Sequence, residues 1–453
     1  MSVGRERTAP GEWREAVSAQ SEETELAEIR AMALPLRTAA DLDPLLERLA
    51  AERLIAIGEA SHGTHEFYAW RCELSRRLIE TGGISFIAVE GDWPDCWRID
   101  QWVRGRRDRQ VDARHLLRDF ERWPTWMWAN EEVADFLDWL RALNLTRADH
   151  ERVGFFGLDV YSLWDSLREV FRWLERNAPE ALGAALRAWE CFAPFGEDPQ
   201  RYAHSTALVP DSCERDVIDL LVEVRHRIAQ DTTPDEGAFG AAQNAAVVAG
   251  AERYYRAMVR SNRDSWNVRD FHMADTLDRL LAYFGPRSRA LIWAHNTHVG
   301  DSRATDMAAA GMVNIGEIIR ERHGDEGVAL IGFAGHRGSV IAAAAWGAEE
   351  MALPVPAARA GSHEDLLHRA LGEPALLIFP HDRDRLWLQL RRGHRAIGVV
   401  YQPRHESGNF VPTIMGERYD ALLWLEDTTA LAPLHHEVAA ETGAELETEP
   451  SGF

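Results

Sequence analysis

The chain has 453 residues with 73 acidic and 50 basic side chains, a net charge of −23, and arginine as its sole cationic residue besides histidine. Without lysine there is no Schiff-base amine, no pyridoxal anchor, no P-loop lysine and no kinase-type phosphate lysine. The acidic field also argues against nucleic acid or an anionic membrane surface as partner.

A hydrophobic share of 46% and a charged share of 27% are ordinary globular usage. Residues 1–24 are polar and weakly periodic and read as a tail. Thereafter short apolar runs alternate with Gly- or His-containing turns and helical stretches. The runs are Arg53–Ile57, Ile84–Val89, Val153–Gly157, Ala290–Trp293, Val328–Phe333, Ala375–Phe379 and Ala396–Tyr401. None alternates strictly, as expected of strands covered on both faces. Helices are predicted over Glu66–Glu80, Pro94–Arg104, Glu131–Leu143 and Ser162–Arg176, the second with proline in its first turn. Residues 182–263 are alanine-rich and helical without a strand candidate. The pattern predicts an α/β fold: a mostly parallel sheet flanked by helices, with a helical insertion at 182–263 between core halves at 25–181 and 264–436. Residues 437–453 read as an acidic tail.

The four cysteines, at 72, 96, 191 and 213, form no CxxC pair and read as thiols in a reducing cytosol. The N-terminal stretch lacks the apolar segment of a signal peptide, and no run approaches the ~18 apolar residues of a membrane span. A cytoplasmic protein is expected.

Chemistry collects where the predicted strands end. Glu59, His62 and Glu66 follow the first run, Glu90 the second, Asp159 the third, and His295 and His298 the fourth. In an open parallel sheet the strand C-termini share one edge, and ligands bind in the crevice outside it. Each residue alone has a plain structural reading, as a helix cap or a hydrogen-bonded strand end. Four polar strand ends together favour a catalytic cleft.

These segments resemble the erythromycin esterase family. The matching pieces are IGEASHGTHEFYAWRCELSRRLIE at 57–80, FIAVEGDWPDCWRIDQWVRG at 86–105, FFGLDVYSLWDSL at 155–167, RDFHMADTL at 269–277, IWAHNTHVGD at 292–301, SHEDLLH at 362–368 and IGVVYQPRHE at 397–406. The resemblance implies a hydrolase that opens a cyclic ester with activated water and no serine nucleophile, a macrolactone being the prototype substrate. It places the family's catalytic positions on Glu59, His62, Arg71, Glu90, His295 and His298.

The chemistry of the residues agrees. An imidazole takes a proton from water near neutrality, and a carboxylate is needed to fix its tautomer. Glu59, Glu66 and Glu90 are each candidates for orienting His62. Arg71, His295 or His298 can stabilise the oxyanion that builds on the ester carbonyl. Ser61 is disfavoured as a nucleophile, because no GxSxG elbow is present. Several of these side chains are metal-ligand types, but HExxH is absent and Arg71 opposes a cation, so no metal or other cofactor is expected. Seventeen tryptophans include those of WPTWMW at 123–128, where Trp126 is expected to line the cleft. Glu66, Asp159 and Glu364 complete the expected substrate contacts, the substrate being a small-molecule ester or lactone.

Overall fold

The computed structural model describes residues 19–106, 111–196, 198–208, 212–230, 235–324 and 327–435. Its strands are β1 (Leu34–Pro35), β2 (Leu54–Ile57), β3 (Ile84–Asp92), β4 (Gly154–Asp159), β5 (Arg289–Trp293), β6 (Val328–Ala343), β7 (Glu350–Val355), β8 (Ala375–Ile378), β9 (Arg391–Arg395), β10 (Phe410–Ile414) and β11 (Ala421–Thr428). Nine of them form one sheet in the order β1-β8-β11-β6-β2-β5-β3-β4, with β7 on the far half of β6, while β9 and β10 pair separately. From β11 to β4 every neighbour is parallel; β8, β1 and β7 join antiparallel. The architecture is thus the α/β fold with a mostly parallel sheet that the strand runs predict.

Both faces of the sheet are covered, which is why its strands read as unbroken apolar runs. Ile55 and Ile57 of β2 face a core built with Phe67, Leu74, Ile99 and Phe136. Their neighbours Leu54 and Ala56 face a second core with Met273, Leu277, Ile318 and Leu366. The first face is covered by helices His65–Glu80, Trp93–Val103 and Glu131–Leu145, the second by Asn262–Phe284, Ile315–His323 and His363–Leu371. A third apolar cluster belongs to the helices Leu163–Asn177, Leu182–Phe192, Glu214–Gln230 and Glu236–Met258. Among the described residues, no helix is long and apolar enough to cross a membrane.

Three sequence expectations change. The run at 396–401 is not a strand. Its amides donate to the Ala60 carbonyl from Ile397 and to the carbonyl of Ala343, the last residue of β6, from Tyr401, so it meets the sheet edge only through isolated bridges instead of entering the sheet. The strand that does enter is β11, antiparallel to β8 and parallel to β6. An N-terminal helix, Ala19–Met32, overlaps the expected tail, because Leu26 and Ile29 are buried in the second core and Glu25 pairs with Arg392; residues 1–18 lie outside the described residues, as does the expected tail at 437–453. Finally, Cys191 and Cys213 are joined in a disulfide, leaving Cys72 and Cys96 as buried free thiols. Folding of the intervening helical segment brings the two together, and their pairing removes cysteine usage as an argument for a reducing compartment.

Candidate active site

Register sets the site. Ile57 stands opposite Trp293, Trp293 opposite Val89, and Val89 opposite Gly157. The residues that follow these four therefore leave the sheet at one level, and Glu59, Glu90, Asp159 and His295 gather along one edge. Two glycines let the loop after β2 lie flat there. A Cβ on Gly58 would sit 2.1 Å from Asn296 Oδ1, and one on Gly63 would sit 1.9 Å from the Ile341 carbonyl oxygen.

At this edge lies a pocket of about 560 Å³ including its mouth. Its polar wall is His62, Glu90, Asp92, Asp95, Arg122, Asp159 and Arg269; Phe120, Met127, Trp128, Tyr161 and Trp346 supply apolar surface.

His62 is fully buried, and its Nδ1 lies 2.9 Å from Glu59 Oε1. An ionised carboxylate only accepts, so Nδ1 carries the proton and donates, which leaves a lone pair on Nε2. Nε2 has no hydrogen-bond partner. The other oxygen of Glu59 is 3.0 Å from Arg71 Nη1. Arg71 is itself completely buried, with its guanidinium 4.3 Å from the Tyr68 ring centre and 5.0 Å from that of Trp293. Burial works against that charge, but Glu59 and Tyr68 outweigh it and raise the Arg71 pKa.

The His295 ring centre lies 4.8 Å from that of His62. His295 caps the short helix Asn296–Val299: its Nδ1 accepts from the Thr297 amide at 3.3 Å and lies 2.8 Å from Thr297 Oγ1. The ring proton accordingly sits on Nε2, which has the Ala60 carbonyl in its neighbourhood but makes no well-formed hydrogen bond. Burial, with His62 adjacent, holds the His295 pKa well below its ordinary value and keeps the ring neutral.

Glu90 forms the floor. Its Oε2 accepts from the His295 amide at 2.8 Å, and its Oε1 accepts from Arg269 Nη2 at 2.7 Å. Burial alone would raise its pKa, yet His298 and Arg269 outweigh that and hold it well below the usual carboxylate range. Arg269 also donates to both oxygens of Asp159, at 2.9 and 2.7 Å. Burial likewise opposes ionisation of Asp159, and Arg269 keeps it charged. Behind Glu90, His298 places Nδ1 2.9 Å from Asp270 Oδ1 and stacks its ring on Trp266 at 4.6 Å. Its Nε2 lies 3.3 Å from Glu90 Oε1 and 3.0 Å from Arg269 Nη1. Against the opposing effect of burial, Asp270 and Glu90 push its pKa up to about 9. Nε2 is then protonated and donates to Glu90; the Arg269 contact is a hydrogen bond only in the neutral ring.

A model of the erythromycin esterase family matches residues 79–428. The chain belongs to the erythromycin esterase family. A curated relative, erythromycin esterase type II of Escherichia coli, is 30% identical over 120 residues, spanning 26% of this chain and 26% of that protein. Among solved structures, a succinoglycan biosynthesis protein is 18% identical with TM-score 0.74, covering 92% of this chain and 99% of the other. A Bacillus cereus protein is 16% identical with TM-score 0.75, covering 91% of this chain and 99% of the other. A histidine-to-asparagine mutant of the erythromycin esterase EreC, in its open conformation, is 16% identical with TM-score 0.64, covering 87% of this chain and 95% of that one. These structures share the fold.

In this family member, Glu59, His62, Glu90, His295, His298 and Asp159 do converge at one edge. Three expected substrate contacts lie elsewhere. Glu66 accepts from the Thr429 amide at 2.7 Å and from Thr429 Oγ1 at 2.7 Å, so it caps a loop. Trp126 is fully buried in the first core, and its neighbour Trp128 lines the pocket instead. Glu364 is wholly buried and accepts from His394 Nδ1 and the Arg395 amide. Arg71, like Glu59, His295 and His298, does not line the pocket itself; it is ion-paired to Glu59. Arg269, Asp270, Asp92 and Asp95 escaped assignment from sequence. The first two belong to the RDFHMADTL segment and reach the site from helix Asn262–Phe284, where no strand end signals them. Asp92 and Asp95 lie on the pocket wall, where burial, reinforced by Asp92, pushes Asp95 up to about 7.

Proposed function

We propose that this protein hydrolyses a carboxylic ester, with a macrolactone as the prototype substrate, using water activated by His62. The observation that carries this reading is the buried His62 imidazole, held through Nδ1 by Glu59 with Nε2 unpartnered at the pocket wall. Family membership supports a hydrolase of this kind. In the reaction, Nε2 takes a proton from water as the water oxygen attacks the ester carbonyl carbon. Glu59 stabilises the resulting imidazolium, and Arg71, paired with its other oxygen, holds Glu59 in place. The neutral His295 offers its Nε2–H to the developing oxyanion. Collapse of the tetrahedral intermediate breaks the ester C–O bond, and the imidazolium returns its proton to the departing alkoxide. The general base is expected to contribute on the order of 10²–10⁴ in rate.

Incubation with macrolides and simpler lactones, followed by mass spectrometry for the gain of one water, tests the activity. His62→Asn should keep the fold by circular dichroism and lose turnover. Substantial retained turnover in that variant removes His62 from the mechanism, and a wild type inert toward every ester removes the activity.

A further inference from the structure

Away from the catalytic pocket, two histidines and a glutamate converge where the sheet meets one of its covering helices. Strands β6 and β11 run parallel with Gly335 opposite Leu425 and Arg337 opposite Asp427. The even-numbered residues Leu330, Ala334, Leu422 and Trp424 point into the core that Leu366 and Leu367 cover. The two-residue period of a strand therefore puts His336 and Glu426 side by side on that face, and His368 of the covering helix His363–Leu371 meets them. One ring nitrogen of each histidine and one Glu426 oxygen lie within 4.8 Å of one another.

Donor atoms here are left over. Glu426 Oε1 accepts from His368 Nδ1 at 2.6 Å. Glu426 Oε2 and His336 Nδ1 are buried with no hydrogen-bond partner, a costly state for a carboxylate oxygen and an imidazole nitrogen. The nearby Arg395 does not satisfy them, since its guanidinium donates to the Gly335, His336 and Pro356 carbonyls and to Glu406. Two imidazoles and one carboxylate, with a side open for water, match a three-ligand set that zinc uses. The two rings are stacked 3.8 Å apart, so converging on one ion requires one to turn. The His368 side chain is 39% exposed and has room to do so.

We propose that His336, His368 and Glu426 bind a zinc-like divalent cation that fastens helix His363–Leu371 to β6 and β11. None of the three lines the catalytic pocket, so this site is separate from the ester chemistry. The test is titration of chelator-stripped protein with zinc by calorimetry and with cobalt by visible absorption, in wild type and in His336→Ala, His368→Gln and Glu426→Gln. The expected result is one equivalent per chain with a tetrahedral cobalt spectrum, and affinity about tenfold or more weaker in each variant. Zinc should raise the thermal midpoint of the wild type and not of Glu426→Gln, the variant that best preserves shape. Lack of stoichiometric binding, or binding unchanged by all three substitutions, overturns the proposal. Binding lost in His62→Asn but retained in these three variants also overturns it, by placing the ion at the catalytic edge.

Discussion

His62 and His298 occupy the same buried edge, and each sets Nδ1 2.9 Å from a carboxylate, Glu59 in one case and Asp270 in the other. Their second nitrogens differ. His298 Nε2 is enclosed by Glu90 and Arg269, and its ring is clamped on Trp266. His62 Nε2 has no partner and belongs to the pocket wall. A carboxylate on Nδ1 therefore does not by itself make a general base. With Nε2 occupied, the same pair becomes a buried cation that neutralises Glu90; with Nε2 open, it can accept a proton from water.

The comparison is broken most forcefully through the carboxylates. Arg71→Met leaves the buried Glu59 charge unpaired, and the expected loss is about 3–5 kcal/mol of unfolding free energy in a denaturant titration. A loss below about 1 kcal/mol would mean that Arg71 does not serve Glu59. Glu59→Gln can still accept or donate at His62 Nδ1 but cannot balance an imidazolium. Its kcat should fall by about 10²–10³, or ~3–4 kcal/mol of barrier. Asp270→Asn, at the matching place on His298, should cost stability and leave kcat per folded molecule within a few-fold. Equal kcat losses at the two positions would abolish the distinction between them.

The two histidines also separate by pH. The folded-state pKa of His298, at about 9, lies above its ordinary value of 6.5. Burial opposes this, and Asp270 and Glu90 more than reverse it. A group with a raised folded pKa stabilises the native state fully below the unfolded pKa and loses that contribution as pH rises through the folded one. Stability should thus decline between about pH 6.5 and 9 by on the order of 3 kcal/mol. In His298→Gln that decline should be absent. Unfolding free energies measured across the range, in both proteins, decide it; the same decline in the variant would assign the effect to another group.

How much of this was legible follows from where each residue sits in the chain. Glu59, Glu90, Asp159 and His295 each follow an apolar run directly, so a parallel register alone brings them together. Arg269 and Asp270 arrive from a helix, and only the position of Asn262–Phe284 against the edge makes them neighbours of Glu90 and His298. The run at 396–401 has the composition of a strand, but composition does not tell whether its amides form a continuous ladder or only isolated bridges to the loop at Ala60 and the end of β6 at Ala343. Trp126 lies inside the 3-10 turn Thr125–Met127 and Trp128 caps its end, and the turn's orientation decides which enters the core and which faces the pocket. The Cys191–Cys213 pair has no short-spacing signal, being separated by 22 positions and closed by helix packing.

The smallest expected effect concerns the mouth of the pocket rather than its floor. Trp346 stands in the β6–β7 hairpin, half-buried, with its ring 4.5 Å from that of Trp123. The Trp123 indole N–H donates to the Ala348 carbonyl of the same hairpin at 3.1 Å. This contact joins the loop before Trp128 to the hairpin across the entrance, and it touches neither Glu59 nor the Glu90–Arg269 floor. Trp346→Ala removes apolar contact area and one aromatic pair, a change of about 1 kcal/mol. If the mouth contributes only binding, KM should rise about fivefold with kcat nearly unchanged, since interactions made equally in ground and transition state leave the chemical step alone. A matching fall in kcat would show that the hairpin also helps to set the position of His62, whose loop it reaches through the Ile341 amide bonded to the Gly63 carbonyl at 2.9 Å. Floor and mouth would then no longer be independent, and the open nitrogen of His62 would depend on the hairpin as well as on Glu59.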